Sequence, residues 1–176
     1  MTINPLNKQT GFTLIMSLVL LVILTMLGLT STQSTRTEIA MAGNMREADM
    51  AFQVAEIGLR SAEVYIEDSV SNTDFNDPDT GLYGQTDDDP NYFLDASWAT
   101  AQESGSVIAN VLNQPKFIVK YLGDRSQNSV AMVNIGGYGK EQPGETVSNF
   151  RTTSLGGGQT DSATRMVQSY YGKSYE

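Results

Sequence analysis

The side chains with the widest chemical reach in this chain are carboxylates, and they gather in one stretch. Residues 72 to 95 read NTDFNDPDTGLYGQTDDDPNYFLD and hold Asp74, Asp77, Asp79, Asp87, Asp88, Asp89 and Asp95. Closely spaced oxygen donors followed by a glycine are what a calcium loop needs, and Asp74, Asp77 and Asp79 ahead of Gly81 form a weak calcium candidate. The closing Glu of the D-x-[DN]-x-[DN]-G-x5-E spacing is missing, so the stretch reads as a solvated acidic loop and no metal site is assigned. Pro78, Gly81, Gly84 and Pro90 mark it as a looped connection. Two glycine clusters could pass for phosphate cradles. Asn134-Ile135-Gly136-Gly137-Tyr138-Gly139-Lys140-Glu141 fails the P-loop pattern: Asn134 stands where its first Gly belongs, and Glu141 replaces the Ser or Thr that binds magnesium. Gly156-Gly157-Gly158 precedes a strand rather than a helix, so no helix N-terminus would face a phosphate. Both clusters read as turns.

The rest of the chemical inventory is short. The chain has 176 residues, a net charge of −9, no Cys and no His. Without Cys there is no disulfide, no thiolate nucleophile and no Cys-ligated metal. Without His the commonest general base and the commonest transition-metal ligand are gone. The acidic balance argues against nucleic acid, whose phosphates call for an excess of Lys and Arg. The sequence therefore points away from an enzyme, and no cofactor is expected.

The elements that would position these residues begin with an apolar run. GFTLIMSLVLLVILTMLGLT, Gly11 to Thr30, lies behind a polar leader, MTINPLNKQT, whose only charged side chain is Lys8. No charge occurs from Gly11 through Thr35. Roughly 20 helical residues cross a bilayer core of ~30 Å, so the run is just long enough. The positive charge ahead of it predicts the N-terminus in the cytoplasm and the bulk of the chain outside. A cleavable secretion signal fits poorly: the apolar core is too long and no A-x-A-type site succeeds it. A permanent single-span anchor is the second reading.

A third reading comes from residues 36 to 66. No Pro occurs between Leu6 and Pro78. Met41, Met45, Ala48, Phe52, Ala55, Leu59, Ala62 and Ile66 alternate in steps of four and three, a seam of period 3.5. Arg46, Glu47, Asp49, Gln53, Glu56, Arg60 and Glu63 lie between them as a solvated face. One helix from about Phe12 to about Ser69 is predicted, on the order of 85–90 Å long. The joint TSTQSTRT, residues 30 to 37, is built from weak helix formers and is where such a helix could fray. The seam could serve a coiled-coil partner, but packing on the protein's own sheet is the favoured expectation.

Two stretches of the sequence resemble a known family. GFTLI behind a short leader containing Lys8 is similar to the class III signal of type IV prepilins. Glu38-Ile39-Ala40-Met41-Ala42-Gly43-Asn44-Met45-Arg46, then Ala51-Phe52-Gln53-Val54-Ala55-Glu56 and Leu59-Arg60-Ser61-Ala62-Glu63, resembles the PilX family of minor pilins. The resemblance implies that a prepilin peptidase cuts between Gly11 and Phe12 and methylates Phe12, with Lys8, Thr13, Leu14 and Ile15 completing the signal. It divides the chain into a leader (1–11), an apolar membrane and filament-core segment (12–35) and a periplasmic head (36–176). It implies partners: other minor pilins, a major pilin, a possible tip adhesin, and an inner-membrane assembly platform. Before assembly the chain would sit in the inner membrane, and afterwards in a surface pilus. One departure stands out. Major pilins carry Glu as the fifth residue after the cut, where this chain has Met16. A buried amino terminus needs a nearby carboxylate to offset desolvation, so this chain fits a low-copy subunit better than the repeating one. A K-type-like pseudopilin of type II secretion and a bitopic scaffold or sensor with an uncleaved anchor remain the alternatives.

Past the acidic stretch, Trp98 is expected to plug a core edge. Lys116 to Leu122 is predicted as a strand with Phe117, Val119 and Tyr121 on one face. A second strand is predicted over Val130 to Ile135. A hairpin is predicted from Val147–Leu155 and Ala163–Tyr171 about the Gly156–Gly158 turn, with Tyr170, Tyr171 and Tyr175 as sheet-edge packing. The expected fold is α+β and pilin-like: a long N-terminal helix packed on an antiparallel sheet of about four strands.

Overall fold

The computed structural model describes residues 10–126 and 146–175. The predicted strand at Val130 to Ile135 and the glycine cluster after it lie outside the described residues. The chain falls into two compact units that divide between Met45 and Arg46.

Helix α1 runs over Thr10–Asp68. It meets no Pro, and its apolar part is rich in Leu and Met, which lose little rotamer freedom in a helix. The hydroxyl-rich joint at residues 30 to 37 does not break it. There the side chains bond the preceding turn instead: Thr30 Oγ1 donates to the Met26 carbonyl (2.9 Å), Thr32 to Gly28 (2.9 Å), Thr35 to Ser31 (3.1 Å) and Thr37 to Gln33 (3.0 Å). Such back-bonds let Thr sit in a helix at little cost.

The second unit holds the remaining elements: β1 (Leu82–Tyr83), the short helix α2 (Asp95–Ala99), β2 (Gln102–Glu103), β3 (Lys116–Ser126), β4 (Thr146–Gly157) and β5 (Thr164–Ser174). The sheet order is β1-β3-β4-β5, and β2 also pairs with β3. Strands β3, β4 and β5 are antiparallel neighbours, whereas β1 runs parallel to β3. The sheet is therefore mixed, with five strands, rather than wholly antiparallel. The parallel pair arises because the chain crosses from β1 to β3 through α2 and β2 instead of through a hairpin.

The core of this unit lies between the sheet and the C-terminal part of α1. Ala62, Ile66, Phe75, Leu82, Phe117, Val119 and Phe150 form it, with Tyr121, Tyr171 and Tyr175 packed alongside. Phe117, Val119 and Tyr121 share one face of β3, as their alternation predicts. The rings of Phe75 and Phe150 sit 4.6 Å apart, and those of Tyr121 and Phe150 5.4 Å apart, in tilted arrangements that aromatic pairs favour.

Candidate functional site

Two parts of the chain are candidates for function: the apolar part of α1, and the head elements that the C-terminal part of α1, the sheet and the acidic segment build together.

Every residue of α1 from Gly11 through Arg46 is exposed in the single chain. Phe12 is 63% exposed and Met16 49%, as are apolar neighbours all round the helix. The helix is long and apolar enough to cross a membrane by length and composition. Its polar side chains suit that environment. Ser17 Oγ donates to the Leu14 carbonyl and Thr25 Oγ1 to that of Val22, both at 2.8 Å. Hydrocarbon offers no partner for a hydroxyl, so closing these bonds within the helix removes a penalty. Gly11, Phe12, Thr13, Leu14 and Ile15 lie in the first turns of α1, and a Cβ at Gly11 would meet nothing within 4 Å. Lys8 lies outside the described residues.

Within the head, the predicted seam is displaced at its N-terminal end. Ala55, Leu59, Ala62 and Ile66 are buried, and Ala48 is half-buried. Met41, Met45 and Phe52 are 67%, 71% and 45% exposed, and the buried positions beside Phe52 are Ala51 and Val54. The reason is a close approach. A Cβ built at Gly156 of β4 would fall on the backbone of Ala51 and Ala55, with the Ala55 Cα at 2.8 Å. Gly58 similarly lies against Ser154 and Pro115. A helix this close to a strand can present only Ala and Gly at the crossing, so Phe52 turns outward. The small residues were legible in the sequence. The pairing of Ala51 and Ala55 with the distant Gly156 was not.

The same contact corrects the reading of Gly156-Gly157-Gly158. Gly156 and Gly157 belong to β4, and the reversal lies beyond them, closed by the Gly158 N–H donating to the Ala163 carbonyl (2.8 Å). Glu47 of α1 anchors this reversal: its Oε2 accepts from the backbone N–H of Gln159 (3.0 Å) and Thr160 (3.3 Å).

The acidic segment is more than a solvated loop. Asp89 Oδ1 pairs with the Arg151 guanidinium at 2.7 Å and with Lys120 Nζ at 3.4 Å. Lys120, 6% exposed, also donates to the Gly84 and Asp87 carbonyls. The segment thus straps across the outer face of β3 and β4, whose cations hold it. The hydrogen bond from Arg151 is the main reason the Asp89 carboxyl is held below the usual aspartate range. Asp74, Asp77 and Asp79 do not gather into a calcium site: among the described residues no group of three or more acidic side chains is placed to hold a metal. Asp74 instead caps a 3-10 turn, accepting the Ser71 N–H at 3.3 Å. Trp98 is buried, with its Nε1–H donating to the Tyr92 carbonyl at 2.8 Å.

The C-terminal tyrosines divide. Tyr170 is 70% exposed and does not pack. The Tyr171 hydroxyl donates to Glu67, which raises its phenol pKa, and the Tyr175 hydroxyl bonds Ser69 at 2.8 Å. Sequence reasoning missed Lys173. Its ammonium caps the end of α1, donating to the carbonyls of Ile66 (2.9 Å), Glu67 (2.6 Å) and Ser69 (2.6 Å). A helix end leaves such carbonyls unpaired, and a cation there also offsets the helix dipole.

A long helix, chargeless in its N-terminal part, and an α+β head fit a membrane-anchored protein of pilin-like architecture. Residues 10–60 match the family model described as PilX N-terminal, and over that stretch the match supports a PilX-like type IV pilin. The match ends inside α1, before the sheet begins. Comparisons with curated proteins and with solved structures returned no significant match.

Proposed function

We propose that this chain is a minor pilin that takes part in the assembly or priming of type IV pili, within a complex of minor pilins near the fibre tip. The observation that carries this reading is the N-terminal part of α1: uncharged from Gly11 through Thr35, apolar on every side, and with hydroxyls bonded to its own carbonyls. Such a helix exchanges lipid for the apolar flanks of other helices at small free-energy cost, because neither environment offers it water. Met16 supports a low-copy role, since the first carboxylate on the chain is Glu38.

In this reading prepilin peptidase cleaves between Gly11 and Phe12 and methylates Phe12. The head stays in the periplasm until the subunit is drawn into the fibre with the major pilin, where it supports adhesion, twitching motility or aggregation. The test is mass spectrometry of the mature N-terminus together with quantification of the chain in sheared fibres. A methylated Phe12 start and sub-stoichiometric presence in fibres are expected. An intact Met1 would favour a bitopic scaffold. Deletion that blocks protein secretion and spares surface fibres would favour a pseudopilin.

A further inference from the structure

The two edges of the sheet are built differently. On one side, β3 is flanked by β1 and β2, each two residues long, and a register shift interrupts β3 between Tyr121 and Gly123. Short flanking strands and bulges are how sheets avoid pairing with other chains. On the other side lies β5, Thr164–Ser174, paired with β4 along its whole length without a register shift. Among the described residues nothing pairs with its outer edge. Its sequence, TRMVQSYYGKS, has no Pro. The Lys173 ammonium, which could have guarded the edge, is turned onto the end of α1. Among the described residues the strand thus offers a long, regular ladder of backbone donors and acceptors, with no Pro, bulge or covering strand.

Its charge says what could use it. In a chain of net charge −9, β5 carries Arg165 and Lys173 and no acid. Full-length antiparallel pairing of two copies of β5 would leave Arg165 with no carboxylate opposite it, and parallel pairing in register would set Arg165 on Arg165. Like charges directly opposed destabilise a ladder. We infer that β5 accepts an extended, acid-bearing strand from a different subunit of the same fibre, added edge to edge, with a carboxylate opposite Arg165. Backbone hydrogen bonds give such strand addition its affinity, and the cross-strand ion pair sets its register.

This inference rests on the fibre-subunit reading, and hydrogen exchange separates the two. The full chain is compared in detergent micelles and in sheared fibres, tracking the amides of residues 164–174. In micelles about half of them, those facing away from β4, exchange rapidly; in fibres these slow by roughly tenfold or more. Arg165→Glu abolishes the slowing and Arg165→Lys retains it, while both keep the wild-type melting temperature. Absence of the chain from fibres overturns the fibre reading. Presence in fibres with the outward amides still exchanging rapidly overturns the strand-addition inference alone. Full protection already in micelles also overturns it, because the chain then fills its own edge. Self-association through β5 overturns the choice of a different subunit.

Discussion

Replacing Gly156 by alanine tests the central packing claim most directly. The added methyl would land on the backbone of Ala51 and Ala55, with the Ala55 Cα 2.8 Å away. Backbone inside a helix cannot turn aside as a side chain can, so the C-terminal part of α1 and β4 must separate. That separation loosens the contacts of Ala51, Val54, Ala55, Leu59 and Ala62, all buried along the same line. Overpacking of this kind costs about 1–3 kcal/mol, and a clash with two backbone segments belongs at the upper end. For a head of this size about 3 kcal/mol lowers the melting temperature by roughly 10 °C or more. The neighbouring glycines calibrate the result. At Gly157 a Cβ would meet Asn113 Cβ at 3.3 Å, so alanine there should cost under about 1 kcal/mol. At Gly58 it would meet the Ser154 hydroxyl, which can rotate away after giving up its bond to the Lys116 carbonyl, so an intermediate loss is expected. Thermal unfolding of the full chain in micelles, monitored by near-ultraviolet circular dichroism, reads all three. A Gly156→Ala variant melting within about 2 °C of wild type would refute the close helix–strand approach.

Lys173→Met should destabilise the head by about 1–3 kcal/mol by uncapping the end of α1, with faster hydrogen exchange confined to residues 64–69 as its signature. The Asp89 carboxyl has a lowered pKa, chiefly through its hydrogen bond from Arg151. The ionised form stabilises the fold above the ordinary aspartate range, and that contribution is lost as pH falls through the lowered value. Asp89→Asn should therefore be less stable at pH 7, by up to about 1 kcal/mol since Asp89 is half exposed, and the gap to wild type should close in acid titrations as pH falls through the lowered value. The Tyr171 phenol is shifted the other way, first by its bond to Glu67. Its stabilisation is present below the ordinary phenol range and is lost as pH rises through the raised value, so Tyr171→Phe should flatten the alkaline limb of the stability curve.

The parts of the fold that were legible in the sequence are those governed by local periodicity. The absence of Pro and the unbroken apolar run give α1 to within a residue or two of its ends. The alternation at Phe117, Val119 and Tyr121 gives β3 and its inward face. What the sequence did not reveal depends on contacts between distant segments. The four-three seam predicts a face for α1 but not its rotation on the sheet, because Ala51 and Ala55 are chosen by the missing side chain of Gly156. Phe52 fits the seam by hydrophobicity and is turned out by volume. The glycine triplet looks like a turn because glycine usually marks one, yet here Gly156 makes room for a helix. Likewise Asp89 is one acid among seven in its segment, and nothing local sets it apart from Asp88.

The outer edge of β5, too, carries functional information that its side chains alone do not. Lys173 and Arg165 look equivalent in sequence, two cations flanking a β-prone run. The fold commits one of them to the carbonyls at the end of α1 and leaves the other exposed at the start of the strand. With Lys173 withdrawn, the edge keeps its pairing capacity along its length and a single cation at one end. That asymmetry favours one direction and one register for an incoming strand, whereas two exposed cations would repel a basic strand without orienting an acidic one. Lys173→Met should therefore weaken the end of α1 and leave strand addition at β5 intact, whereas Arg165→Glu should do the reverse. If both substitutions impaired both properties equally, the division of labour between these two cations would be wrong.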